Sequence, residues 1–319
     1  MSTHLRSPTL NEVLQKNLPA DSGREILINP DGGMFDARTM AAALRRAGTA
    51  DVIIVPPGEY TAFELKKSVR MRSQIPGTVS FQGTMTIRSE FASFSGINFR
   101  SPQEQSAFQV EKGALILDDC VIRGEITAVS PTENVRVYLK GCLAGQTDEG
   151  IVLSHLAFME ISESRIAGCR VGLALRQGAS AALYHSRIES CLNTDETDPG
   201  VGIFAEQASL YCEGVVLRDN GVGIYLKNCP EALLLSSLFH GSRTSAVIVA
   251  DSPTTASVVM HSCVASQQTS SLCPQLSLSG GSVRLAHCRI LTSPSPALSA
   301  ELTRLEILNS SFLATGATA

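Results

Sequence analysis

Val215-Val216-Leu217-Arg218-Asp219-Asn220-Gly221-Val222-Gly223-Ile224-Tyr225-Leu226 is the stretch that decides the fold. Two short runs rich in β-branched residues flank a turn of Asp, Asn and Gly, which reads as one rung of a stacked coil of strands. Versions of this rung recur along most of the chain. Aligned on one apolar position, they give Phe99, Ile122, Leu143, Ile166, Ile188, Val216, Leu238, Val264, Ile290 and Phe312, with a basic separation of 22 residues and three longer intervals of 26 or 28. Five residues before each stands Phe94, Leu117, Tyr138, Ile161, Leu183, Tyr211, Leu233, Val259, Leu285 or Ile307, so that column is apolar throughout. Two residues before each stands Cys, Gly or Ser, with Ile97 the only large exception. Such a recurrence describes a three-sided coil of parallel strands whose apolar columns stack into one continuous core. The second column places Tyr138 and Tyr211 inside that core.

The chain has 319 residues, 44% of them hydrophobic, and a solenoid of this length needs no second domain because each repeat contacts only its neighbours. Its net charge of −4 comes from interspersed charges, which shows no basic stripe for phosphates and no basic amphipathic helix for a membrane surface. Nucleic acid and membrane are therefore not expected partners. Nine cysteines lie without CxxC spacing and read as small buried hydrophobes in a reducing compartment, so a cytoplasmic location is expected; secretion without a cleaved signal peptide stays open.

Residues 1–23 read as a polar leader with one short helix, Leu10 to Leu18, that covers an end of the body. Thr9-Leu10-Asn11-Glu12 supplies a capping box there, and Leu10, Val13 and Leu14 share a face. The body, residues 24–319, begins with a cap over 24–60. There Glu25 to Asn29 reads as a strand, Asp31-Gly32-Gly33 as a turn, and Asp36 as the N-cap of a helix over Ala37 to Ala47 with a Met40, Ala43, Leu44 stripe. Asp51 to Tyr60 is then a buried strand stopped by Pro56-Pro57-Gly58. This succession resembles the N-terminal portion of pectin-lyase-like proteins, in which a Gly-rich turn leads to a capping helix and a strand ending in Pro-x-Gly-x-Tyr. The resemblance implies an all-β chain forming a single right-handed parallel β-helix of ten or more coils with a short helical cap. It says little about activity.

Three longer intervals must bulge as loops, the longest carrying Asn193 to Gly200 and another Ser266 to Pro274. Asn193-Thr194-Asp195, then Arg218-Asp219-Asn220, then Phe239-His240-Gly241 resemble a degraded polygalacturonase signature, in which carboxylates act as general acid and base on a glycosidic bond. Glu196 replaces a glycine, Asp219 has no adjacent Asp, and Phe239 replaces the first glycine of Gly-His-Gly. Under that resemblance the catalytic set is Asp195, Asp198, Asp219, His240 and Arg243. A lyase version would add calcium held by Asp195, Glu196 and Asp198. His185, His261 and His287 fall in a polar column expected to face solvent. With no Trp, five Tyr and two of those assigned to the core, composition argues against a sugar ligand. The first functional reading is thus a non-catalytic interaction protein binding a protein partner through its faces and inserted loops, with the last strand, Ser310 to Leu313, pairing with another chain. The alternative is a carbohydrate-active hydrolase or lyase acting on a polysaccharide.

Overall fold

Three strands make each turn, as in Glu149–His155, Phe158–Ser162 and Arg165–Ala167, and each bonds to its counterpart one turn away in parallel register. The computed structural model of the chain describes residues 23–29, 37–102, 105–193, 199–266, 273–292 and 296–314. Over these residues it is a parallel solenoid of about eleven turns with one short helix. The leader helix, the Asp31 turn and the Asp36 cap lie outside the described residues, as do Asp195, Glu196 and Asp198.

Strands five to seven residues long change direction at single left-handed residues. One corner column runs Gly96, Asp119, Gly141, Glu163, His185, Gly214, Ser236, Ser262, His287 and Asn309, all with φ between 46° and 67°. Left-handed backbone costs an ordinary L-residue about 1–2 kcal/mol and costs Gly, Asn and Asp least, which accounts for much of the corner composition. His185 and His287 occupy this column and His261 precedes it by one residue; all three side chains are exposed, as expected.

The inward columns differ from the sequence alignment in four turns. The short strands point Phe99, Ile122, Ala144, Ile166, Ile188, Leu217, Phe239, Ala265 and Ile290 into the core, each at most 3% exposed. Leu143 and Leu238 face out at 40% and 38% exposure, and Val216 and Val264 also lie on the outer side. In the preceding strands Leu139, Cys212, Leu234 and Met260 point inward, not Tyr138, Tyr211, Leu233 and Val259. In each of these turns two consecutive residues are apolar, and a period of two then has no preferred phase until the neighbouring rung fixes it. The two assignments make opposite demands: Phe239→Ala is expected to cost about 3–5 kcal/mol, whereas Leu238→Ser should stay within about 1 kcal/mol. Urea denaturation of both variants checks the register.

At the N-terminal end the helix spans Met40–Arg46, shorter than expected, and Thr39 is its cap, its Oγ1 accepting from Ala42 N at 3.1 Å. Ala43 is buried, with Met40 and Leu44 packed against the core. The strand read across Asp51 to Tyr60 is two, Val52–Val55 and Gly58–Thr61, because Pro56 and Pro57 break it at a corner. Eight cysteines are buried free thiols acting as small apolar residues, and Cys273 is exposed. The expected last strand is present as Ser311–Ala314.

One corner is locked by side chains as well as backbone. Gly150, Gly172, Gly202 and Gly223 stack at the second residue of successive strands, and a Cβ on any of them would stand 2.4–2.7 Å from a carbonyl oxygen of the next turn. The space they leave is filled by Cys169, Cys191 and Asn220. Asn220 is fully buried, with Oδ1 accepting from Cys191 N at 2.9 Å and Nδ2 donating to Ile188 O at 3.1 Å.

Candidate functional site

The short strands expose only the residues on either side of the inward one, and these form two columns running along the axis. One carries Arg165, Arg187 and Arg289; the other carries Arg100, Arg123, Glu189, Arg218 and His240. From Asn98 onward Glu189 is the only carboxylate in the described strands of this face. Six arginines thus share one side of a chain whose net charge is −4. The basic stripe that sequence spacing did not show is assembled by the fold, from residues 22 or more apart.

Four of the six arginines are stacked in like-charged pairs. Arg123 is the register partner of Arg100, and neither forms an ion pair with a described residue. Arg187 is the register partner of Arg165, and both converge on Glu189, with Arg187 Nε 3.7 Å from Oε2 and Arg165 closer. Glu189 is itself only 8% exposed. Two cations per carboxylate leave this cluster with a positive excess.

Beside Arg123 the face opens into a polar cleft of about 930 Å³, lined on its corner side by Glu125, Gln146, Thr147 and Asp148. Small residues make the approach shallow: Gly145 and Ala167 occupy the outer column here, and a Cβ on Gly145 would meet Ala167 O at 2.0 Å. The Arg170 guanidinium holds the Asp148 carboxyl below its usual range through a hydrogen bond of 2.8 Å, so Asp148 stays ionised and already partnered.

Of the residues singled out from sequence, the structure brings Asp219, His240 and Arg243 to one corner of two adjacent turns. Asp219 N donates to His240 O at 2.9 Å, and Arg243 N donates to Asn220 O at 2.9 Å. Asp219 has φ 53°, its Oδ2 accepts from Arg218 Nε at 2.9 Å, and its Oδ1 lies 2.3 Å from where a Cβ on Gly241 would stand. The carboxylate therefore fills a place that a glycine vacates. His240 Nδ1 lies 2.8 Å from Ser266 Oγ. The nearest carboxylate in register is Glu189, one turn away from Arg218. Sequence reading missed Glu189, Arg165 and Arg187; their signal was the Arg-Ile-Ala and Arg-Ile-Glu triplets flanking the inward isoleucines.

Two expectations about aromatic residues are overturned. Tyr138 and Tyr211 face outward, because Leu139 and Cys212 take the inward positions beside them. Tyr211 packs against Tyr184 in a tilted pair with centroids 5.5 Å apart, and Phe204 against Tyr225 at 5.6 Å, all four half-buried on outer faces. Tyr211 is thus partly open to solvent, while Tyr138, although outward, is fully buried. Among the described residues no group of three or more His, Cys, Asp or Glu is placed to hold a metal.

A family profile described as "Right handed beta helix region" matches residues 82–260, more than half of the chain. The chain belongs to the right-handed β-helix family. No curated protein sequence matches this β-helix. Among solved structures it is similar to the periplasmic alginate epimerase AlgG, at 12% identity over 86% of this chain and 82% of that one, with a TM-score of 0.48. It is also similar to the A-module of the mannuronan C-5 epimerase AlgE6 of Azotobacter vinelandii, at 12% identity over 83% and 91% and a TM-score of 0.46. The pectate lyase Pel9A aligns at 12% identity over 90% and 78%, with a TM-score of 0.40.

Proposed function

We propose that this β-helix binds an acidic polysaccharide along its short-strand face. The observation that supports the reading is the stacking of Arg100 on Arg123 and of Arg165 on Arg187. Like charges directly opposite in a sheet destabilise it, so such pairs make sense where an anion completes them. Guanidinium forks match carboxylates bidentately, and strands about 4.8 Å apart present them at a rise comparable with one sugar unit of an extended chain.

Nucleic acid suits the face less well. Among the described residues the short-strand columns carry no exposed Phe, Tyr or Trp ring for base stacking. Glu125, Gln146 and Asp148 at the cleft offer acceptors to sugar hydroxyls. A second reading adds turnover of the bound chain and rests on the corner where Asp219, His240 and Arg243 meet, with the Asp195 and Asp198 loop and calcium as its remaining parts. The protein-partner reading keeps the last described coil, where Leu302 is 88% exposed and Ile307 and Leu313 are also exposed.

Calorimetry with acidic oligosaccharides, neutral oligosaccharides and single-stranded DNA tests the proposal. Binding confined to the acidic sugars, weakening as salt rises, is the expected result. Equal binding of DNA would replace the sugar with a general polyanion, and no binding in any arm would sink it. Product release from the acidic chain, lost in Asp219→Asn, would add the turnover reading.

A further inference from the structure

Two shallow hollows follow one another along the short-strand face. The first, of about 130 Å³, has Asn98, Arg100 and Arg123 among its walls; the second, of about 140 Å³, has Arg123, Leu143, Gly145 and Arg165. Residues two apart on a strand stand about 6.7 Å from each other, so the two outward columns flank a channel floored by the inward column. Along this channel the cations change sides. Arg100 and Arg123 stand in register on one flank, Arg165 and Arg187 on the other. The turn between these pairs presents Leu143 and Gly145, neither charged. Leu143 is 40% exposed, and a Cβ on Gly145 would collide with Ala167 O, so the backbone itself forbids a side chain on that flank. The cationic run also has two ends. One turn before Asn98 and Arg100 the flanks carry Ser80 and Gln82, and the turn before that exposes Glu59. One turn after Arg187, Arg218 Nε already donates to Asp219 Oδ2 at 2.9 Å.

We propose that the face takes five consecutive units of an acidic chain, the middle one neutral, and that Leu143 and Gly145 set this pattern. The inference rests on the polysaccharide reading above and gives that ligand a length and a charge sequence. Five turns from Arg100 to Arg187 are four steps apart, about 19 Å. Carboxylates on the first two units and the last two meet guanidinium forks, from opposite flanks of the channel. A carboxylate on the third unit would meet leucine, shed water and gain no partner, which disfavours it. An uncharged ring loses nothing there, and the missing side chain at Gly145 lets it approach the backbone. Outside the run a longer chain gains little. Glu59 repels its charge at one end, and Asp219 has already taken Arg218 at the other. A uniformly charged chain binds across the same five turns, with its third charge contributing nothing.

Calorimetry of the full-length chain with uniformly charged oligo-uronates of two to eight units, near physiological ionic strength, tests this. Affinity is expected to rise about ten-fold from two units to five, then to change by less than about two-fold from five to eight. Leu143→Arg supplies the missing cation and should tighten binding of the five-unit probe about three-fold. Leu238→Arg is the matched control, since Leu238 is 38% exposed in the same column but lies two turns past Arg187. Those two turns are about 10 Å, one Debye length, so the control should leave affinity within about 1.5-fold of the parent. Thermal melts of both variants read whether the fold is kept. Affinity that keeps climbing from five units to eight, or equal gains from the two substitutions, overturns the five-turn pattern and leaves the polysaccharide reading standing. No binding at any length removes both.

Discussion

Arg100→Gln/Arg123→Gln is expected to weaken binding of an acidic oligosaccharide without destabilising the fold. Each exposed guanidinium–carboxylate contact contributes about 0.5–1 kcal/mol, so the double substitution should cost about 1–2 kcal/mol, or about 5- to 30-fold in Kd. Both side chains are exposed, and their mutual repulsion across the strand pair is removed at the same time. Stability should therefore hold steady or rise by a few tenths of a kcal/mol. Loss of affinity together with an unchanged or higher midpoint distinguishes a binding role from a structural one. Calorimetry and thermal melts of the same samples read both quantities, and unchanged affinity would remove Arg100 and Arg123 from the site. The Arg165 and Arg187 pair makes a poorer first test. Truncating them strands Glu189, which is largely buried, and an unpaired buried carboxylate lowers stability whatever the ligand does.

Gly172→Val is expected to prevent folding. A Cβ at 172 would stand 2.6 Å from Gly202 O, 2.8 Å from Ile188 Cγ2 and 3.0 Å from Cys191 Sγ, and the added γ-methyls have no space to enter. Backbone oxygen is fixed by the strand ladder, so relief requires neighbouring turns to separate, at more than the roughly 1–3 kcal/mol of ordinary overpacking. Gly168→Ala is the matched control. Gly168 has φ 70° and nothing within 4 Å of its hypothetical Cβ, so its cost is conformational only, about 1–2 kcal/mol. Soluble, cooperatively melting Gly168→Ala beside insoluble Gly172→Val is the expected outcome. Equal stability of the two would mean that close approach does not hold this corner.

Much of the candidate site was out of reach of a single-sequence reading, for reasons visible in individual residues. Arg100 and Arg123 are separated by 23 positions and Arg187 and Arg218 by 31, so no local window contains the stripe. Asp219 drew notice through its resemblance to a polygalacturonase signature, and the fold adds that it is a left-handed corner residue with Gly241 accommodating its carboxylate. Glu189 enters the site only because the fold sets Arg165 and Arg187 against it.

The repeat itself was determined by sequence alone. A small or polar corner residue and an apolar partner every 22 residues leave no other way to bury so many short strands, since each rung can cover its core side only with the next. The phase of each rung was not so determined. Leu143-Ala144, Val216-Leu217, Leu238-Phe239 and Val264-Ala265 are apolar on both sides of the sheet, and hydrophobic burial by itself is indifferent to which member turns inward. Register with neighbouring strands and the fixed volume of the interior decided it, and with it which tyrosines meet solvent and which arginines stand together.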